Sequence, residues 1–145
     1  MGRIEQSATV NVSPEKAFNY LADVTRHTEW GSHLSSADKT SDGPVVVGST
    51  FATVGKLFGT HEAEVKITEL VPNQKITFES QDDSGHFRHE FIIAPSNGGT
   101  AIIKAVEPLQ TRGPLKLFSP ILPLIVRRGF ATDLKKIKER LETQA

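Results

Sequence analysis

The chain contains no cysteine among its 145 residues. Disulfides, thiolate nucleophiles and cysteine-ligated zinc are therefore excluded. Neither sign of charge prevails, because 17 Lys and Arg face 17 Asp and Glu. A general nucleic-acid binder needs a cationic excess to neutralise phosphates, so no nucleic-acid partner is expected. Long hydrophobic runs are missing too. The most apolar stretch, Leu117 to Val126, is interrupted by Ser119, Pro120 and Pro123. It is too short and too broken for a stable bilayer span. Catalytic signatures are scarce: G-x-S-x-G, H-E-x-x-H and the Walker loop are all absent. The first residues, Met1-Gly2-Arg3-Ile4-Glu5, enter a strand pattern with no apolar signal segment. The expectation is one cytoplasmic domain spanning 1–145.

What is present is patterning. Ile4, Gln6, Ala8, Val10 and Val12 alternate with Glu5, Ser7, Thr9 and Asn11, as in a strand with one buried face. Ser13-Pro14-Glu15 reads as a helix start, with Ser13 capping free amides and Pro14 at the first helical position. Ala17, Phe18, Leu21 and Ala22 form the buried face of that helix, and Thr25 is the expected cap of a second short helix ending near Trp30. Residues 31–48 read as loop with one weak strand. Strands are expected near 49–55, 61–71, 74–82, 86–94 and 100–108, joined by turn-forming Pro72-Asn73, Asp82-Asp83-Ser84-Gly85 and Ser96-Asn97-Gly98-Gly99. The chain ends on one amphipathic helix. Phe118, Leu122, Ile125, Phe130, Leu134, Ile137 and Leu141 fall on a single stripe at nearly helical period. Pro120 and Pro123 mark its start or a kink.

The class is therefore α+β: a strand, two short helices, a five- or six-strand meander and a long helix. The segment Val10-Asn11-Val12-Ser13-Pro14-Glu15-Lys16-Ala17-Phe18, followed by Leu21-Ala22-Asp23-Val24 and Trp30, resembles the opening of the polyketide cyclase/dehydrase and lipid-transport proteins. These are START-like, helix-grip domains of the SRPBCC superfamily, related in fold to plant pathogenesis-related allergens. Val71-Pro72-Asn73-Gln74-Lys75-Ile76-Thr77-Phe78, Gly98-Gly99-Thr100-Ala101-Ile102 and the terminal Asp133 to Glu142 are similar to later segments of that family. The glycine-rich loop of the plant allergens is lacking, so similarity to that branch is weaker. The resemblance implies a curved antiparallel sheet of about seven strands wrapped around the C-terminal helix, with a deep apolar cavity between them. It implies no cofactor.

The five histidines are His27, His33, His61, His86 and His89. His86 and His89 lie three apart on a strand and point to opposite faces. His61 and His89 are separated by an intervening strand, roughly 10 Å. No metal site is expected. His89 alternates with Phe87, Phe91 and Ile93 and belongs to the inward set. There it either serves a ligand as hydrogen-bond partner or proton acceptor, or is a satisfied inner-face side chain. Lys104 faces inward if Ile102 and Val106 do, and an inward cation suits an anionic head group; the opposite phase, with Ala101, Ile103 and Ala105 inward, is equally apolar. Trp30 is either a cavity-rim aromatic or a core anchor.

Phe51, Val65, Ile67, Ile76, Phe78 and Phe91 are expected on inner strand faces. The ligand-contacting set is expected to comprise Trp30, Phe51, Val65, Phe78, His89, Phe91, Ile102, Lys104, Phe118, Leu122, Ile125 and Phe130. The run 117–126 with Arg127 and Arg128 is either a packed helix entry beside a solvated pair, a lid, or a patch that touches membranes transiently. Three functions fit these features. One is binding or transport of a small hydrophobic or amphipathic ligand, lipid or polyketide-like. Another is an enzyme of the cyclase, aromatase or dehydratase type, with His89 its candidate catalytic group. The last is a filled domain that binds another protein. Monomer and homodimer are both open.

Overall fold

Alternation along the chain becomes a seven-stranded antiparallel sheet. The computed structural model describes residues 2–57, 59–117 and 120–143, and only the backbone of Pro114 and Leu115. Phe118 thus lies outside the described residues. The strands are β1 (Ile4–Val10), β2 (Leu34–Lys39), β3 (Thr50–Lys56), β4 (Thr60–Val71), β5 (Lys75–Asp82), β6 (Gly85–Ser96) and β7 (Gly99–Thr111). They lie in the order β1-β7-β6-β5-β4-β3-β2. Strands 2 to 7 form a meander, and β1 pairs with β7 at one edge. Short turns enforce this order. Asn97 and Gly98 both adopt positive φ, as a two-residue hairpin turn between right-twisted strands requires.

Three bulges bend the sheet. Ser35, Thr68 and Leu109 are each an extra residue opposite a regular partner strand, and bulges increase local bend and twist. Thr68 also resets the phase of β4, so that Ile67 and Leu70, three apart, both face the core beside Phe78 and Ile76. The bulge at Leu109 lets β7 continue past Pro108, which lacks an N–H for the ladder. That is why β7 runs three residues beyond its sequence-based boundary.

Between β1 and β2 lie helix α1 (Pro14–Ala22) and a 3₁₀ helix (Val24–Glu29). Ser13 caps α1 by accepting from the Lys16 amide at 3.2 Å. The 3₁₀ helix is capped by Asp23, not Thr25: the Asp23 carboxylate accepts from the Thr25 amide at 3.1 Å and its hydroxyl at 2.5 Å. An aspartate two residues upstream outcompetes the threonine because it reaches both donors. Tyr20 is buried on α1, while Phe18 is only half-buried.

After β7 come the short helix α2 (Gly113–Leu117) and the long helix α3 (Leu122–Thr143). The helix expected to begin at Phe118 starts four residues later. Pro123 is tolerated in its first turn, where no intrahelical amide bond is lost. Leu134, Ile137 and Leu141 are buried against Ile67, Ile76, Phe91, Ile93 and Ile102 of the sheet and Ala17 and Leu21 of α1. Lys135, Lys136, Lys138 and Arg140 stay exposed. Two bonds fasten the far end: Lys16 Nζ donates to the Leu141 carbonyl at 2.9 Å, and the Asn11 amide donates to Glu142 at 2.8 Å. A sheet curved around a long helix is the helix-grip arrangement that the resemblance implies. Among the described residues, no helix is long and apolar enough to cross a membrane.

Leu134 is 3% exposed. Leu134→Ala is expected to cost about 2–5 kcal/mol in urea unfolding. A loss below about 0.5 kcal/mol would show that α3 is not sealed on the sheet.

Candidate functional site

The interior is not filled evenly. At the end of the sheet where α1 and the β6–β7 turn lie, the core is closed. Toward the β3–β4 and β5–β6 turns, a cavity of about 290 Å³ separates the sheet from the first three turns of α3. On each strand the boundary is visible in the inward residues. Val106 and Pro108 of β7 line the cavity and Ile102 does not; Phe87 and His89 of β6 line it and Phe91 does not; Phe78 and Ser80 of β5 line it and Ile76 does not. Lys104 and Asp133 are the last residues of β7 and α3 to reach it, so they mark its deep end.

Eight of the residues singled out in the sequence are brought together on this wall: Trp30, Val65, Phe78, His89, Lys104, Leu122, Ile125 and Phe130. Phe51, Phe91 and Ile102 are not on it. They point inward as their phase requires, but they are 0%, 1% and 0% exposed, within the closed core. Alternation fixes the face of a strand and says nothing of depth along it.

Register decides Lys104. It pairs with Phe91, and Ile102 with Ile93, so Ile102, Lys104 and Val106 face inward. Lys104 is 6% exposed. Its Nζ lies 3.8 Å from the Phe130 ring centre, 5.3 Å from that of Trp30 and 5.4 Å from that of Phe91. It makes no hydrogen bond or ion pair among the described residues. Burial lowers its pKa from 10.5 to about 8, while the negative field of Asp133 opposes the shift. Asp133 is itself engaged, accepting from the Ser32 amide at 2.9 Å and the Ser32 hydroxyl at 2.5 Å.

Two histidines border the same space. His27 is buried, with Nε2 donating to the Leu21 carbonyl at 2.8 Å. Desolvation, reinforced by Lys104, lowers its pKa to about 4. His89 stacks on Phe78 with ring centres 4.8 Å apart, and its Nε2 meets the Ser80 hydroxyl at 3.1 Å. Desolvation first, then Lys104 and His27, lower its pKa to about 3. Both rings are neutral at physiological pH, and their neutrality leaves Lys104 as the cation of the deep end.

The whole arrangement matches a known family over nearly its full length. The profile of the polyketide cyclase/dehydrase and lipid transport family matches residues 1–142. The chain belongs to this family. Its structure is similar to a START superfamily protein from Mycobacterium smegmatis, with TM-score 0.83, 13% identity and complete coverage of both chains. It is also similar to a Thermus thermophilus protein, with TM-score 0.82, 13% identity and 99% of each chain covered. An aromatase/cyclase from Streptomyces sp. R1128 gives TM-score 0.75 and 15% identity over 97% of this chain and 93% of that one. At such identities the likeness establishes fold. No curated protein matches the sequence.

In this polyketide cyclase/dehydrase and lipid-transport family member, the cavity mouth is fastened by His61. Its Nδ1 donates to Asp83 at 2.5 Å and its Nε2 to the Leu57 carbonyl at 2.9 Å. The hydrogen bond to Asp83 raises the His61 pKa above its ordinary value. The side chains of His61, Asp82 and Asp83 come within metal-chelating distance of one another. Both ring nitrogens of His61 are already engaged, and Asp82 Oδ1 accepts from the Ser84 amide and hydroxyl and the Gly85 amide. The cluster ties the β3–β4 turn to the β5–β6 turn.

Sequence reading missed Asp133, Ser32, His27 and Gly129 as cavity residues. Asp133 carried a signal: it follows Phe130 by three and precedes Ile137 by four, an acidic residue on the apolar stripe. Gly129 also carried one, as a glycine inside a helix. A Cβ there would meet the His33 ring at 3.6 Å, an ordinary contact. Ser32 and His27 gave none.

A buried ammonium without a partner works against folding. A pKa moved from 10.5 to about 8 corresponds to about 3 kcal/mol. Lys104→Met is expected to be more stable than the wild type at about pH 7 by up to that amount. Between about pH 8 and 10.5 the unfolded chain holds a proton that the folded one has released, so wild-type stability rises with pH across that window. The variant lacks that rise. Urea unfolding at about pH 7 and about pH 10 checks both, and equal or lower stability of the variant at the lower pH would contradict the assignment.

Proposed function

We propose that this protein binds a small hydrophobic or amphipathic molecule, lipid or polyketide-like, in the cavity between the sheet and α3. The carrying observation is the cavity itself. Its walls are mostly apolar, with polar groups at both ends, Lys104, His89 and Asp133 deep and His61, Asp82 and Ser84 at the mouth, and apolar walls with a few polar groups are the usual composition of a small-molecule site. At about 290 Å³ it sits at the lower end of the ~300–1,000 Å³ range of such pockets. Burying apolar ligand surface contributes roughly 25 cal/mol per Å², so walls of this kind bind with few polar anchors. A void of this size also speaks against the filled, protein-binding alternative.

A second reading has its own observation. Neutral His89, hydrogen-bonded to Ser80, and the Lys104 ammonium face one cavity. A proton acceptor and a proton donor so placed are what a cyclase, aromatase or dehydratase needs to enolise and condense a bound carbonyl chain. The aromatase/cyclase among the similar structures supports this alternative at the level of fold alone.

Transient membrane contact belongs to the same proposal. Leu117, Ile121 and Leu124 are exposed at the cavity end of the molecule, next to exposed Lys116, Arg127 and Arg128. Apolar side chains flanked by cations suit the surface of an anionic bilayer.

Uptake of Nile red, an uncharged apolar dye, tests the cavity. A blue-shifted, saturable emission is expected with the native protein, and filling the wall with Ala63→Phe should weaken binding by about tenfold or more, the equivalent of one lost aromatic-sized contact surface. No uptake by a folded protein, or equal uptake by the filled variant, would remove the binding reading. Native mass spectrometry of gently purified protein should show a retained small molecule.

A further inference from the structure

Apolar walls say little about the polar chemistry of a ligand, but the deep end does. Its hydrogen-bonding groups are unbalanced. Two donors lack acceptors: the Lys104 ammonium, 6% exposed and facing the cavity, and the buried Trp30 Nε1. Two nearby acceptor atoms, Asp133 Oδ1 and the Leu21 carbonyl oxygen, already have donors. Asp133 is held by Ser32 through two bonds, and the Leu21 carbonyl by His27. Three aromatic rings, Phe130, Trp30 and Phe91, surround the ammonium. They soften the cost of its burial by cation–π attraction but offer no lone pair. An unpaired buried cation is expensive, and an apolar side chain would pack here without that cost. What the position gains from lysine is a charged donor at the closed end of a binding cavity.

We propose that Lys104 anchors an anionic oxygen group of the ligand, a carboxylate or an ionised enol or phenol, so that the ligand lies with its charged end deep and its apolar body toward the mouth. This rests on the reading that the cavity takes up a small amphipathic molecule. The other titratable groups facing Lys104 are His27 from the 3₁₀ helix, His89 from β6 and Asp133 from α3. The two histidines are neutral and add no competing cation. Asp133 holds the lysine protonated from beyond ion-pair distance, and its accepting oxygen is turned to Ser32. A bound carboxylate would therefore meet a charged donor that has no hydrogen-bond or ion-pair partner among the described residues.

The test compares two probes of the same shape, 2-naphthoate and uncharged 2-naphthamide, by isothermal titration calorimetry on the full chain. One charge-assisted hydrogen bond gives naphthoate an advantage of about 10–100-fold at pH near 7. Lys104→Met should abolish the advantage, and cooperative urea unfolding shows that the variant is folded. In the wild type, raising the pH through the lysine's titration should weaken naphthoate and leave naphthamide unchanged. Equal binding of the two probes, an advantage that survives Lys104→Met, or exclusion of both probes by a protein that takes up Nile red would each overturn the anion site and leave the cavity reading standing. Failure to take up Nile red at all would overturn the cavity reading, and the anion site with it.

Discussion

Everything in this molecule depends on how far the apolar stripe of α3 is sealed onto the concave sheet. Leu134, Ile137 and Leu141 pack at one end against strands and α1 together, each burial contributing roughly 1.5–3 kcal/mol. Once that end is fixed, the helix cannot also follow the sheet at the other end. The bulges at Ser35, Thr68 and Leu109 bend the strands away. The side chains there are too few or too small to fill the gap: Gly129 on the helix, Ala63 and Ser80 on the strands. The cavity is thus a consequence of one tight contact and one curvature, and needs no special cavity-forming element.

The same division explains where charge is tolerated. In the closed half the buried polar groups are satisfied ones, such as Thr100, which donates to the Val12 carbonyl at 2.6 Å. At the boundary between the halves, the rule is broken by Lys104 and by Trp30 Nε1. Buried polar groups are nearly always partnered in native structures, so two orphan donors side by side at the inner end of a void mark a place where stability has been given up. Such concessions concentrate at functional sites, because a sequence selected for packing alone would place an apolar residue there.

Much of the fold was legible in the sequence and little of the site was. Alternation in 4–12 and 86–94, the turns at Asn73 and Asn97-Gly98, and the helical stripe to Leu141 each have a local physical cause, so they could be read residue by residue. Boundaries were misplaced where a cause was not local. The Leu109 bulge that carries β7 to Thr111, and the Thr68 bulge within β4, are set by partner strands. Depth in the cavity is less local still. Phe91 and His89 have the same phase on one strand, yet one is core and the other wall. The difference is made by Leu134 and Phe130, more than 35 positions along the chain. Lys104 had two equally apolar phases, and only its pairing with Phe91 selects one.

The proposed orientation, with the ligand's charged end at Lys104, reverses the polarity of a carrier that leaves its ligand's head in water. With the charged end deep, desolvating it must be offset by Lys104, whose interaction strengthens in the same low-dielectric surroundings. In that orientation the apolar body would extend past Val106, Phe87 and Ile125 toward the mouth, where Leu117, Ile121 and Leu124 are exposed on the nearby helices. Exposed leucines beside a mouth cost solubility if they serve nothing. Beside a mouth from which an apolar end leads, they provide a continuous apolar path between the cavity and whatever surface supplies the ligand.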